Sequence, residues 1–228
     1  MENFLWYPLE HLPFVVIVIM IVFTVHEFAH AYSAYKFGDD TAYREGRVTL
    51  NPMVHLDIFG TILLLIAGFG WAKPVPVNAS RFKHRRTMSV IVSAVGPLSN
   101  LLMAFIGMLL IYILYGTGLM QAASTGVQSA LQVFFFYFVT INLLLFVFNL
   151  IPLPPLDGYR IVSEFLPLRI RYKVEQNIQW GMFLFLLFVF IPPLRAVTLD
   201  PILGLQVPLY TGINRMLSSL FGFQMVWS

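Results

Sequence analysis

Residues 26–30 of this chain read His26-Glu27-Phe28-Ala29-His30. If this stretch is helical, the two histidines lie on one face, so both imidazoles can reach one zinc ion. The glutamate lies beside them, where it can take a proton from metal-bound water. The motif occurs by chance in many sequences, but here it lies in an apolar stretch, where ionisable side chains are costly and need partners. The alternative interpretation is that hydrogen bonds between helices satisfy all three side chains.

Two histidines leave zinc short of a ligand, since catalytic sites commonly have three protein ligands plus water. Asp157 is one of few acidic candidates near an apolar stretch, and it follows Pro152, Pro154 and Pro155. Prolines cannot continue a helix, and broken backbone at membrane depth is tolerated only where protein or a water-filled cavity covers it. Taken alone, Asp157 is more simply interpreted as part of an Asp-Gly turn at a helix end.

The composition indicates that membrane helices position these residues. Hydrophobic residues make up 58% of the 228-residue chain and charged residues 11%, less than half the charged share usual in soluble domains. The mean hydropathy of +0.78 agrees. The absence of cysteine excludes disulfides and thiolate metal ligands. Although the pI is about 9.2, we expect no nucleic acid partner, because the basic residues are placed as topology anchors beside a lipid bilayer.

Four stretches are long and apolar enough to cross a hydrocarbon core of roughly 30 Å; they are residues 12–35, 88–115, 131–151 and 178–191. The stretch 58–69 is too short and is predicted to be a re-entrant or interfacial element. The tail, residues 195–228, is apolar but interrupted by glycine and proline. We expect it to form an extra span or to lie in the interface.

The 14 Lys and Arg residues are unevenly distributed along the chain. Most lie between the first two long spans or after the third, whereas residues 1–11 and 116–130 contain none. By the positive-inside rule, both basic segments are cytoplasmic and the N-terminus is outside, as expected for a multi-pass protein of the cell membrane. In this orientation His26 lies about 21 Å into its span, at 1.5 Å per residue. Asp157, after the third span, arrives in the same cytoplasmic half.

Three asparagines in the apolar stretches are candidate catalytic residues. Asn149 lies just before the proline-rich turn, and Asn142 is on the same helical face. An amide donor at this place could stabilise the oxyanion formed when water attacks a peptide carbonyl. Asn100 follows Gly96-Pro97, where a helix can bend towards the site. For each of the three, a hydrogen bond between helices is the alternative.

The chain resembles the site-2 proteases, which are intramembrane zinc metalloproteases, and specifically the short bacterial type without a PDZ domain. The resemblance covers roughly residues 24–164. It implies that His26, His30 and Asp157 bind one zinc ion and that Glu27 is the general base, and it supports the oxyanion role of Asn149. Five segments carry it: HEFAH at 26–30, GRVTLNPMVHLD at 46–57, GWAKPVPVN at 70–78, GPLSN at 96–100 and FNLIPLPPLDG at 148–158.

Residues 70–78 are predicted to form a small membrane-associated β-hairpin, with prolines suited to an edge. A transmembrane helix must unwind before it is cut, and a strand edge offers hydrogen-bond partners to the freed peptide groups. In the family that the chain resembles, an element at this position is thought to do this. The resemblance therefore implies that Gly70, Trp71, Pro74 and Val75 bind substrate. The alternative is an interfacial loop anchored by Trp71.

The sequence thus predicts an all-α polytopic membrane protein with about four to six transmembrane helices and the small β element. We expect one integral membrane metalloprotease domain over residues 1–228, with its core at about 12–165, acting on membrane-anchored protein substrates. Two other classes remain as alternatives: a transporter that moves metal ions, and an inactive relative that binds membrane proteins. His55 and Asp57 are expected near the mouth of the site, either positioning substrate or forming a solvated loop pair. The oligomeric state is not predicted.

Overall fold

The computed structural model describes residues 6–227, a chain of helices joined by short loops. Residues 1–5, which belong to the N-terminal segment predicted to lie outside, and Ser228 at the end of the tail are outside the described residues. The helices are α1 (Leu12–Lys36), α2 (Thr41–Arg44), α3 (Ile58–Ala67), α4 (Arg85–Gly116), α5 (Leu119–Ala122), α6 (Thr125–Asn149), α7 (Asp157–Ser163), α8 (Leu168–Gln176), α9 (Ile178–Phe190), α10 (Pro192–Leu203) and α11 (Gln206–Phe221).

Within residues 6–227, three helices are long and apolar enough to cross a membrane: α1 with the 3₁₀ turn before it, α4 and α6. A fourth candidate is α9 taken together with residues 192–221, although the two parts are bent by 96°. The bend falls where Pro192 and Pro193 lack the N–H donors that would continue α9. The all-α membrane architecture is confirmed, and the helix count lies at or below the lower end of the predicted range.

The helices α1, α4 and α6 pack against one another and form the centre of the molecule. Valines and isoleucines of α1, such as Val18 and Ile19, belong to one apolar cluster with Phe138 of α6. The next residue of α6, Val139, belongs to a second apolar cluster with residues of α4. Because lipid is as apolar as these side chains, their contacts stabilise the bundle by close packing rather than by leaving water.

The helix α3 and the segment after it turn back on themselves. Asp57 caps α3, accepting a hydrogen bond from the Gly60 N–H at 2.8 Å, and this gives the residue a structural role. The chain returns so that Ala72 pairs with Leu56, immediately before α3. Since a Cβ at Gly70 would overlap the Gly60 carbonyl, the return is possible only because position 70 lacks a side chain. That this segment is a re-entrant or interfacial element stays a prediction.

The predicted hairpin at residues 70–78 is not formed. Within residues 6–227, the β structure consists of one isolated antiparallel bridge, Leu56–Ala72, and residues 73–78 follow outside any helix or strand. Pro74 and Pro76 favour extended backbone at their own positions and at the residues before them. Pro74 and Pro76 lack N–H groups, so a second strand on their edge would miss two ladder hydrogen bonds. Side chains from elsewhere in the fold contact the opposite edge instead.

Candidate active site

The HEFAH motif lies in the second half of α1, and Asp157 meets it from the first residue of α7. The Nε2 atoms of His26 and His30 are 3.1 Å apart, and each lies 3.2 Å from Oδ2 of Asp157. All three side chains, and that of Glu27, are less than a tenth exposed. The structure therefore brings together the three side chains that the sequence predicted as metal ligands.

Hydrogen bonds on the far side of each imidazole fix which nitrogen carries the proton. His30 Nδ1 lies 2.6 Å from the Val92 carbonyl oxygen of α4. A carbonyl can only accept, so Nδ1 of His30 donates. In the neutral imidazole, Nε2 then carries a free lone pair directed at Asp157.

The position of the proton on His26 follows from a relay of three hydrogen bonds through Asn142 and Asn100. The Phe138 carbonyl accepts from the Asn142 amide nitrogen at 2.7 Å, which turns the Asn142 oxygen towards the Asn100 amide nitrogen, 3.1 Å away. The Asn100 oxygen then faces His26 Nδ1 at 2.7 Å. Because the relay starts at a group that can only accept, each amide has one consistent orientation. His26 Nδ1 therefore donates, and Nε2 is again the free nitrogen.

In their neutral form, two imidazole nitrogens and one carboxylate oxygen thus converge on one point, an arrangement that a cation at their centre would stabilise. The separations fit zinc, because ligand atoms at 2.0–2.1 Å in tetrahedral geometry are about 3.3 Å apart. Orientation of each imidazole by a partner on its other nitrogen is also typical of metal sites. The set His26, His30 and Asp157 is a group that could hold a metal ion.

The broken segment before Asp157 is partly covered by protein: Pro154 is buried, whereas Pro152 and Pro155 are exposed. Ile151 and Leu156 are buried against Phe185 of α9 and Leu199 of α10. Gly158 follows the aspartate, and a Cβ there would overlap the Leu150 carbonyl. The turn can therefore fold back over the end of α6 and hold Asp157 facing α1.

Gly96 of α4 is a site residue whose role the sequence reasoning missed. A Cβ at position 96 would overlap the ring of His30 and crowd that of His26. Any side chain would therefore displace both imidazoles. The available signal was a glycine within an apolar helix, which costs about 1 kcal/mol relative to alanine and indicates close packing.

Glu27 lies on the side of the cluster that faces the extended segment. Its Oε2 accepts a hydrogen bond from the Val75 N–H at 2.9 Å. Carboxylates have several lone pairs, so this contact orients Glu27 while leaving capacity to accept a proton. Of the predicted substrate-binding residues, Val75 therefore lies next to the site, Pro74 precedes it and is exposed, Gly70 packs on α3, and Trp71 is half-exposed.

Asn149 is the last residue of α6, and its amide donates to the Leu145 carbonyl one turn earlier, at 3.1 Å. Asn100 and Asn142, by contrast, lie in the relay behind His26. The three predicted asparagines therefore occupy two different places. Asn100 contacts the far side of His26 and Asn142 contacts Asn100, whereas Asn149 ends the helix that leads to Asp157.

Comparisons with known proteins agree with this geometry. A family model described as Peptidase family M50 matches residues 14–191. Three relatives have names that read "Putative zinc metalloprotease". YwhC of Bacillus subtilis (strain 168) is 52% identical over 206 residues, covering 90% of this chain and 92% of YwhC. Rip2 of Mycolicibacterium smegmatis is 28% identical, covering 82% and 72%, and Rip2 of Mycobacterium tuberculosis H37Rv is 30% identical, covering 82% and 71%. No solved structure matches the chain significantly.

The helical membrane architecture and the His–His–Asp cluster define a membrane protein with a metal site of catalytic type. The chain belongs to peptidase family M50.

Proposed function

We propose that this chain is an intramembrane zinc endopeptidase in which His26, His30 and Asp157 hold one zinc ion and Glu27 transfers protons. One observation carries the assignment of residues: two imidazole nitrogens and one carboxylate oxygen lie about 3.2 Å apart inside a bundle of apolar helices, beside a buried glutamate. Membership of peptidase family M50 and the relatives' names support the same chemistry. The chain is a zinc metalloprotease of a multi-pass membrane type.

A bound zinc ion supplies a Lewis acid that polarises a carbonyl and lowers the pKa of water. Glu27 acts as general base: it accepts a proton from the water molecule while the water oxygen attacks the scissile carbonyl carbon. The same carboxyl group returns the proton to the leaving amine nitrogen. The Val75 N–H holds one carboxylate oxygen of Glu27, so the other is free for this transfer.

The asparagines are proposed to divide into two roles. Asn100 and Asn142 act through His26, keeping its free nitrogen directed at the metal position. Asn149 is proposed to donate to the oxyanion, as the family resemblance implies. This requires its amide to leave the Leu145 carbonyl, a bond within its own helix that a rotation of the side chain breaks.

Membrane-anchored proteins are the proposed substrates, and residues 70–78 are proposed to hold their unwound segment beside Glu27. The buried site within a bundle of apolar helices supports a substrate that arrives through lipid. The extended conformation of residues 73–78 supports pairing with a substrate backbone. Pro74 and Pro76 have no N–H group, so at these two positions the outer edge offers only carbonyl acceptors, and the donors there must come from the substrate.

We further propose a single domain over the whole chain, in the cell membrane, with both basic segments in the cytoplasm.

The native chain has no cysteine, so single cysteines report orientation directly. Lys83→Cys, in the first basic segment, should resist an impermeant thiol reagent in intact cells. Gln121→Cys, between α4 and α6, should react. Both positions are exposed, so equal labelling, or labelling at position 83 alone, would contradict the orientation.

The proposed function is tested with the purified protein in lipid vesicles and a single-span substrate protein. Wild type should cleave the substrate, lose activity after treatment with a zinc chelator, and regain it on addition of zinc. The physical reason is that two imidazoles and one carboxylate cannot polarise a peptide carbonyl without the cation. Cleavage that persists after the measured zinc content has fallen to zero would contradict the proposal.

A further inference from the structure

Arg47 is a buried charged side chain in the loop between α2 and α3, with 4% of its surface exposed. One of its terminal nitrogens, Nη2, donates to the Lys73 carbonyl at 2.6 Å. Among residues 6–227 its Nε has no hydrogen-bond partner, and no carboxylate forms an ion pair with it. Burying a charge with so few partners is costly. We therefore looked for a structural role of the Arg47–Lys73 contact that offsets this cost.

The reason lies in the backbone pairing beside the bridge. Because Leu56 and Ala72 are bridged, the adjacent pair His55 and Lys73 would exchange two N–H···O=C bonds in a regular antiparallel ladder. Only one is made: the Lys73 N–H donates to the His55 carbonyl at 2.8 Å. The His55 N–H donates to Pro52 instead. The guanidinium of Arg47 thus takes the place of the missing donor to Lys73.

The His55 side chain keeps this loop in shape. It is fully buried, and its Nε2 lies 2.8 Å from the Thr49 carbonyl, to which it donates. Burial lowers the pKa of His55, so the imidazole is neutral near pH 7. The hydrogen bond closes residues 49–55 into a compact turn whose carbonyl at His55 faces Lys73.

Arg47 and Glu27 contact the same edge of residues 72–78. In an extended chain, the peptide groups of alternate residues point the same way, so those of Lys73 and Val75 share one edge. The Val75 N–H donates to Glu27, two residues from the Arg47 contact. At the far end, the Asn78 N–H donates to buried Asp39 at 2.6 Å. The segment is therefore anchored on both sides of Glu27.

We propose that Arg47 is a positioning residue whose guanidinium fixes the register of residues 72–78 against Glu27, and thereby which substrate peptide bond is cut. The inference rests on the proposed function, since it takes Glu27 as the proton carrier and this segment as the neighbour of the substrate. When the anchor is removed, the segment shifts along its own axis. The substrate backbone paired with it then meets Glu27 at more than one register.

The test uses the full chain in vesicles with a single-span substrate, and maps the products by mass spectrometry. Arg47→Met keeps the length of the side chain and removes its donors, whereas Arg47→Lys keeps the charge but not the planar fork. Arg44→Met is the matched control, because Arg44 is an exposed arginine three residues earlier that pairs with Asp40. Zinc content and melting temperature are measured for each variant.

Arg47→Met should keep its zinc and cleave roughly 10- to 100-fold more slowly, the range expected when a hydrogen bond from a charged group is lost. Its products should spread from the wild-type site to neighbouring bonds. Arg47→Lys should restore part of the rate and most of the original site, and Arg44→Met should match wild type. If Arg47→Met does not fold, Arg47→Lys is the test variant. Its products should also spread to neighbouring bonds, but less than those expected for Arg47→Met.

A single unchanged cleavage site in the folded Arg47 variants would overturn the positioning role, whether or not the rate falls, because a purely structural residue leaves the register intact. Failure of the proposed function looks different. In that case wild type does not cleave the substrate, or Glu27→Gln cleaves it as well as wild type does.

Discussion

Glu27→Gln should lower the rate of substrate cleavage by roughly 10²–10⁴-fold, the range that positioned proton transfer contributes, while the zinc content stays at that of wild type. The amide oxygen of glutamine can still accept the Val75 N–H that now bonds to Glu27. It cannot take a proton from water at neutral pH. The extended segment and the three ligands therefore remain in place, and only the chemistry is lost. Kinetics on purified protein in vesicles, with elemental analysis for zinc, measure both quantities.

The matched control is Glu45→Gln, the same chemical change at an exposed glutamate in the loop after α2. It should cleave at the wild-type rate. Activity of Glu27→Gln within tenfold of wild type would remove Glu27 as the general base. Metal flux that is equal in wild type and Glu27→Gln, with cleavage by neither, would favour the transporter instead. Substrate binding without cleavage by either would favour the inactive relative.

Asp157→Ala should lower the affinity for zinc by more than roughly 100-fold, because loss of a residue that merely orients a ligand already costs 10–100-fold. Without the carboxylate, the two imidazoles are the remaining protein donors, too few for a stable tetrahedral site. Activity should fall with zinc content, and high zinc should restore little of it. Elemental analysis after gel filtration, with competition against a chelator of known affinity, gives the stoichiometry and the affinity.

The control for this variant is Asp200→Ala, an exposed aspartate of α10 that pairs with Arg195. It should keep one zinc ion per chain. Asp157 begins α7, where its charge also favours the helix N-terminus by about 0.3–1 kcal/mol, so a small loss of stability is expected. Full zinc stoichiometry in Asp157→Ala would show that the ligand assignment is wrong.

The convergence of His26, His30 and Asp157 could be predicted because it depends on local spacing and on depth in the membrane. His26 and His30 are four residues apart on one helix, so their convergence needs no knowledge of the fold. Asp157 is distant in sequence, but the membrane restricts the possibilities: two segments that end at the same depth can meet. The apolar length of α1, α4 and α6 is likewise readable from the sequence, because the bilayer sets a minimum span.

The contacts around the cluster could not be predicted, because they depend on how the helices are rotated against one another. Asn100 and Asn142 are polar residues in apolar helices, and nothing in their spacing distinguishes a relay behind His26 from a contact with substrate. Backbone partners such as the Val92 carbonyl leave no trace in the sequence. The role of Gly96 also depends on where α4 crosses α1.

The pairing of residues 70–78 could not be predicted for a different reason. The alternation of residues 70–78 predicted a hairpin, but the structure shows a single bridge at Ala72, and its partner Leu56 lies outside the local sequence. Arg47 and Glu27 supply side-chain contacts where a second strand was expected. A local pattern predicts the conformation of a segment better than it predicts what the segment pairs with.

We propose that this chain cuts peptide bonds within the membrane at a zinc site formed by residues of α1 and α7. The most direct test is the position of the cut in a single-span substrate, determined by mass spectrometry of the products formed by wild type and Glu27→Gln in vesicles. We predict a cleaved bond inside the apolar span of the substrate, in its cytoplasmic half, formed by wild type and absent with Glu27→Gln. Cleavage only outside the span, or the same products from both proteins, would contradict the claim.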